Sequence, residues 1–183
     1  DGTSNFANAV PTYGVMMGLL EGDKPIAGGI ALPSFNEVYV GAPGHGATCN
    51  GDPIHVSTET QLLSSLVVYE IDGHQEQPDL TYSEANIIAR IVLGIRNLRS
   101  SNSAFDAALI ARGAYGAGMN QTSKIWDNVA QQAVIEAAGG TYTDFWGKPI
   151  DYSKPLTKAE ANFTGCYGAP ALHRAIQQIV HQG

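Results

Sequence analysis

Short apolar runs at 13–20, 26–32 and 37–41 are separated by Gly22-Asp23-Lys24-Pro25 and Pro33-Ser34-Phe35-Asn36. Runs this short with turn residues between them predict antiparallel strands in a meander. Asn50-Gly51 adds hairpin chemistry before another strand predicted at 53–56. Beyond Ser57 the pattern changes. Residues 66–71 read as extended, 80–93 carry apolar positions at helical spacing, and 95–99 read as a strand. A small-residue helix is predicted over 104–112, stopped by Gly113, then a strand over 114–119. The clearest helix is 127–138, where Val129, Ala130, Ala133, Val134, Ala137 and Ala138 share a face before Gly139-Gly140. Strands at 141–144 and 164–168 and a helix at 170–181 follow, while 147–162 shows no period. The expectation is an α+β fold with an antiparallel part over 1–60 and an α/β part over 61–183.

The 183 residues are 44% hydrophobic and carry 21 glycines and 9 prolines, which predicts a globular unit of short elements rather than a coiled coil or a disordered chain. A formal net charge of -7 disfavours nucleic acid, which is held by clustered Lys and Arg. It does not disfavour a small phosphorylated ligand, because a bound cation inverts the local field. No apolar run is long enough to cross a bilayer, so no membrane partner is expected. Cys49 and Cys166 have no Cys-x-x-Cys spacing, and a reducing, cytoplasmic setting is expected. The five histidines lack zinc-ligand spacing, and Met16 and Met17 read as core filling.

Two segments carry candidate chemistry. In Asp1-Gly2-Thr3-Ser4-Asn5-Phe6 a carboxylate precedes a flexible glycine and a helix start. Backbone N–H groups there suit an anion and Asp1 suits a hard cation, although an ordinary Asp-Gly turn has the same sequence. In Trp126-Asp127 a carboxylate stands at the expected N-cap of the small-residue helix, where one oxygen could cap while the other binds a cation. Lys124, two residues before Trp126, reads as a solvated loop residue and Trp126 as buried.

Asp-Gly-Thr-Ser-Asn-Phe, followed far downstream by Trp-Asp and then Glu-Ala-Ala-Gly-Gly, resembles the inositol monophosphatase family. The resemblance takes in Gly46-Ala47, Asn50-Gly51 and Ala111-Arg112-Gly113, and so nearly the whole chain. It implies layered sheets and helices of the sugar-phosphatase type and Mg²⁺-assisted hydrolysis of a small phosphorylated metabolite by a metal-activated water. Carried over residue by residue, Asp1 and Asp127 correspond to metal ligands, and Gly2 and Thr3 to phosphate-binding backbone. The Thr3 hydroxyl corresponds to a catalytic group that positions the water.

The departures from the family pattern bear on substrate. Asn120 stands where inositol-specific members carry a substrate-binding Glu, and Ser101-Asn102-Ser103-Ala104 stands for the family's Gly-Ser/Thr-Ala-Ala, making Asn120, Asn102 and Ser103 substrate-side candidates. Gln131 and Ala137 also differ from the usual residues. The family places further carboxylate ligands before this Asp-Gly-Thr, so the resemblance implies a C-terminal portion lacking N-terminal elements, inactive on its own and prone to form a homo-oligomer. Histidinol-phosphate or fructose-bisphosphate phosphatase, or a non-catalytic phosphate-binding protein of the same fold, are the alternative functions.

Overall fold

The computed structural model describes residues 1–182, which form five helices and ten strands in two five-stranded sheets. The first sheet is an antiparallel meander of β1 (Val15–Glu21), β2 (Lys24–Leu32), β3 (Glu37–Ala42), β4 (Gly46–Cys49) and β5 (Asp52–Ile54). Strand β4 was not anticipated as a separate element, because Gly-Ala-Thr-Cys offers no large β-branched or aromatic side chain. The second sheet is mixed. Its order is β7 (Asn97–Arg99), β6 (Leu66–Glu70), β8 (Ala117–Ser123), β10 (Phe163–Gly168) and β9 (Thr141–Thr143). Strand β6 runs parallel to both β7 and β8, and the β8–β10 and β10–β9 pairs are antiparallel.

Of the helices, α1 (Thr3–Ala7) is one short turn, α2 (Pro78–Val92) and α5 (Pro170–Val180) pack on each other, and α3 (Ala104–Ala111) and α4 (Ile125–Ala137) lie between the sheets. Helix α4 crosses β1, β2 and β3 and also meets β9 and β10. It is therefore buried nearly all round, with Asn128, Gln131 and Ile135 buried in addition to the face seen in the sequence. This crossing needs glycine. A Cβ on Gly18 would lie 2.5 Å from Val129 Cγ1, and one on Gly28 would lie 2.5 Å from the Ala130 carbonyl oxygen.

Pleating divides the first sheet into two faces. Met16, Ile30, Leu32 and Tyr39 point toward the helices, whereas Val15, Met17, Leu19, Val38 and Val40 point outward and are exposed. Met17 is 79% exposed, so the core role expected for it is corrected by simple alternation with Met16. Trp126 is likewise exposed, at 56%, because it occupies the outer side of the first turn of α4.

Candidate active site

The loop that opens the chain is tied to its neighbours at several points. The Asp1 amino group donates to the Gly14 carbonyl at 2.7 Å, and the Gly14 N–H donates back to the Asp1 carbonyl at 3.0 Å. Asn5 Nδ2 donates to the carbonyls of Thr12 and Ser101, at 2.7 and 2.8 Å. Gly2 has φ of 78°, a left-handed conformation, and a Cβ there would press on Ser103 Cβ at 3.0 Å and the Thr12 carbonyl at 3.1 Å. The turn it makes leaves the first N–H groups of α1 without acceptors inside the helix.

Asp127 comes from the opposite direction. The helix bearing it starts two residues earlier than the sequence suggested, with Lys124 as N-cap, so Asp127 is not the N-cap but lies inside the first turn. Its Oδ2 accepts from the Lys124 N–H at 3.1 Å, closing the helix end while leaving Oδ1 for another partner. Burial raises the Asp127 carboxyl above the usual range, opposed by the hydrogen bond from Lys124 and by the positive charges of the chain's amino terminus and Lys124. A cation beside this carboxylate would relieve the same penalty.

Asp1 and Asp127 line one cavity of about 260 Å³, together with Glu70, Asn120, Asn102 and Ser103. A second cavity of about 480 Å³ is lined by Gly2, Thr3, Ser4 and Asn5 and shares Asp1, Asp72 and Asn102 with the first. The two are neighbouring parts of one depression. All seven residues singled out from the sequence lie on it, Asp1, Asp127, Asn120, Asn102 and Ser103 in the first part and Gly2 and Thr3 in the second.

The substrate-side candidates differ in what they can still do. Ser103 is buried, and its hydroxyl accepts from the Phe105 N–H at 3.3 Å as the cap of α3. Asn102 has φ of 50°, and its Nδ2 donates to the Ile71 carbonyl at 2.9 Å, joining the 100–103 loop to the end of β6. Asn120 is 2% exposed and donates from Nδ2 to Glu70 Oε2 at 3.3 Å. Lys124 lines the cavity, but its ammonium donates to the Glu160 carbonyl at 3.2 Å.

Glu70 and Asp72 were missed by sequence reasoning. The available signal was a carboxylate ending the otherwise apolar run Leu66-Val67-Val68-Tyr69. Burial, together with the carboxylates of Asp106, Asp127 and Asp72, pushes Glu70 up to about 8, against the opposing hydrogen bond from Asn120. The residue as a whole is half-buried, but its Oε1 is out of solvent.

Among the described residues, no group of three or more His, Cys, Asp or Glu side chains is gathered into a metal cage. Asp1 and Asp127, two of the four carboxylates on the first cavity, fit Mg²⁺, which is commonly held by one or two carboxylates and completes its shell with water and substrate phosphate. They do not fit a structural zinc site, which takes four Cys or His ligands.

Residues 1–182 match the model of the Inositol monophosphatase family. The fructose-1,6-bisphosphatase/inositol-1-monophosphatase of Aquifex aeolicus is 32% identical over 180 residues, covering 98% of this chain and 63% of the relative. The inositol monophosphatase of Mesembryanthemum crystallinum is 34% identical over 167 residues, covering 86% of this chain and 62% of the relative. The chain thus spans somewhat less than two thirds of the length of these relatives. The solved inositol monophosphatase from Anabaena superposes with a TM-score of 0.86 at 30% identity, covering 100% of this chain and 69% of that one.

Proposed function

The chain belongs to the inositol monophosphatase family, and from that premise we propose that it serves in the Mg²⁺-dependent hydrolysis of a small phosphate monoester, a phosphorylated sugar or polyol. The observation that carries this reading is the presence of Asp1 and Asp127, 126 positions apart in the sequence, on one cavity that continues to the start of α1. When bound, the cation would lower the pKa of water and offset charge on the reacting oxygens. Asp1 and Asp127 would hold it. The free N–H groups around Gly2 and Thr3 would receive phosphate oxygens, and the Thr3 hydroxyl would orient the attacking water. Asn120, Asn102 and Ser103 would face the alcohol part of the substrate. A phosphorylated sugar accords with the two activities in the name of the Aquifex relative.

Inorganic phosphate release from a panel of phosphomonoesters, with Mg²⁺ and with EDTA, tests the proposal, measured for the chain joined to a relative's segment that carries the family's further carboxylate ligands. Release should require Mg²⁺, and Asp127→Asn should lower kcat/KM by roughly a hundredfold or more. Inositol 1-phosphate should not be the best substrate, because Asn120 cannot offer the hydroxyls a full negative charge. Undiminished release in EDTA, or wild-type rates from Asp127→Asn, would overturn the reading. We further propose a homo-oligomer, supported by the apolar outer face of β1 and β3, and a reducing, cytoplasmic setting, in keeping with the free thiols Cys49 and Cys166.

A further inference from the structure

Helix α4 carries an asparagine, Asn128, directly after Asp127, and this side chain is buried, at 1% exposure. An apolar residue would serve packing at such a position, whereas a buried amide is costly unless its polar atoms all find partners. Here they do. The two Nδ2 hydrogens go to Ser123 Oγ at 2.7 Å and the Lys124 carbonyl at 2.8 Å, and Oδ1 accepts from the Tyr142 hydroxyl at 3.0 Å. Two donors and an acceptor on so short a stem are a set that asparagine alone offers.

These bonds grip the peptide that joins Ser123 to Lys124. Its N–H is the group that donates to Asp127 Oδ2 at 3.1 Å. Asn128 holds the Ser123 side chain on one flank of that N–H and the Lys124 carbonyl on the other. The grip is anchored in the second sheet. Ser123 Oγ passes its own hydrogen to the Phe163 carbonyl on β10 at 2.9 Å, and Tyr142 on β9 is fixed by stacking on Tyr167, with ring centroids 4.8 Å apart. The Tyr142 hydroxyl also lies 3.3 Å from Gln131 Oε1, but its single proton favours the nearer oxygen, on Asn128. Ser123, Lys124, Asp127 and Gln131 line the first cavity, and Asn128 stands behind them without lining it.

We propose that Asn128 is the positioning residue for Asp127: by fixing the Lys124 N–H it holds the carboxylate with Oδ2 engaged and Oδ1 free for a divalent cation, an assignment that rests on the phosphatase reading. A fully satisfied buried network stiffens the groups it joins, and here it joins the end of β8, the first turn of α4 and strands β9 and β10. Groups bonded to a ligating side chain change metal affinity by about 10–100-fold. Asn128 acts one bond further out, through the Lys124 peptide, which places its effect at the lower end of that range.

The test compares wild type, Asn128→Leu, Tyr142→Phe, Asp127→Ala and the double variant Asn128→Leu/Asp127→Ala by two measurements that need no turnover. In the metal-free chain, the NMR resonance of the Lys124 amide proton reports its bond to Asp127. Asn128→Leu, which keeps the bulk but neither donates nor accepts, should move that resonance most of the way to its position in Asp127→Ala, and Tyr142→Phe should move it less than half way. Binding of Mn²⁺, an oxygen-seeking stand-in for Mg²⁺, is then read from the EPR signal of the free ion. Asn128→Leu should weaken it about tenfold. In the Asp127→Ala background the same substitution should change nothing, because an effect that passes through Asp127 is lost with it. A Lys124 resonance left at its wild-type position in Asn128→Leu, undiminished Mn²⁺ affinity in that variant, or a further tenfold loss in the double variant would overturn the proposal. If wild type binds no Mn²⁺, or Asp127→Ala binds it equally well, the metal assignment of Asp127 fails, and the Lys124 resonance alone decides whether Asn128 orients that carboxylate.

Discussion

Burial of the Glu70 carboxyl makes the stability of the folded chain depend on pH, and Glu70→Gln offers a direct way to read its protonation. Its carboxyl titrates near 8 in the folded protein against an ordinary value of 4.5, so the folded chain binds a proton that the unfolded chain lacks between those pH values. For a carboxylate raised in this way, stability falls as pH rises through the window and is level on either side of it. Glutamine has nothing to ionise, so the stability of Glu70→Gln relative to wild type should climb by about 1.4 kcal/mol per pH unit across the window, an increase of about 3 kcal/mol from acid to pH 7. For a chain of this length that increase corresponds to roughly 6–12 °C in Tm. Urea titrations in EDTA at half-unit steps from pH 4.5 to 8.5 would measure it. Glu84, Asp106, Asp127 and Glu136 are also raised by burial, and His173 is lowered by it. These groups shape the pH profile of both proteins, and the difference between the two profiles isolates Glu70. A difference that does not change with pH would mean that Glu70 is ionised in the folded chain and would refute the reasoning.

Two further substitutions test how the site is held in place. Gly28→Ala should cost about 1–3 kcal/mol, because its Cβ would lie 2.5 Å from the Ala130 carbonyl oxygen, whereas the neighbouring Gly29→Ala, with nothing nearer than 3.6 Å, should change stability by under about 0.5 kcal/mol; equal melting temperatures for the two would refute the close helix–sheet contact. Placing lysine at Met17 and Val40, 79% and 53% exposed on the outer face of the first sheet, should shift sedimentation toward a smaller species, and a profile unchanged from wild type would show that this face is not where copies meet.

Much of the fold was legible because its strands and helices carry their own periodicity. The β1–β3 meander, the small-residue helices α3 and α4 and the closing helix α5 fall close to the expected positions. The failures share a cause. Strand β8 was expected over 114–119 but runs Ala117–Ser123, since Asn120, Gln121, Thr122 and Ser123 break the apolar pattern. The first cavity is lined by Asn120, Thr122 and Ser123, so polarity hid the strand where the site uses it. Likewise, Asp127 looked like a cap because Asp is common there, but the extra turn residues Ile125 and Trp126 place it inside the helix.

Glu70 shows why a site can stay hidden even when its strand is found. A single carboxylate at the end of an apolar run is compatible with a solvated strand end, and nothing in the neighbouring residues says otherwise. Only the pairing of β6 with β8 places it against Asn120, fifty positions away, and only the packing above that sheet removes the water that would otherwise satisfy both. Asp127 depends on tertiary structure in the same way. Its position over the cavity is set by how closely α4 approaches Gly18 and Gly28, a distance no local pattern encodes. The surroundings of Glu70 and Asp127 are thus made by strand pairing and helix–sheet contact, and variants that loosen either contact should disturb the cavity before they lose the fold.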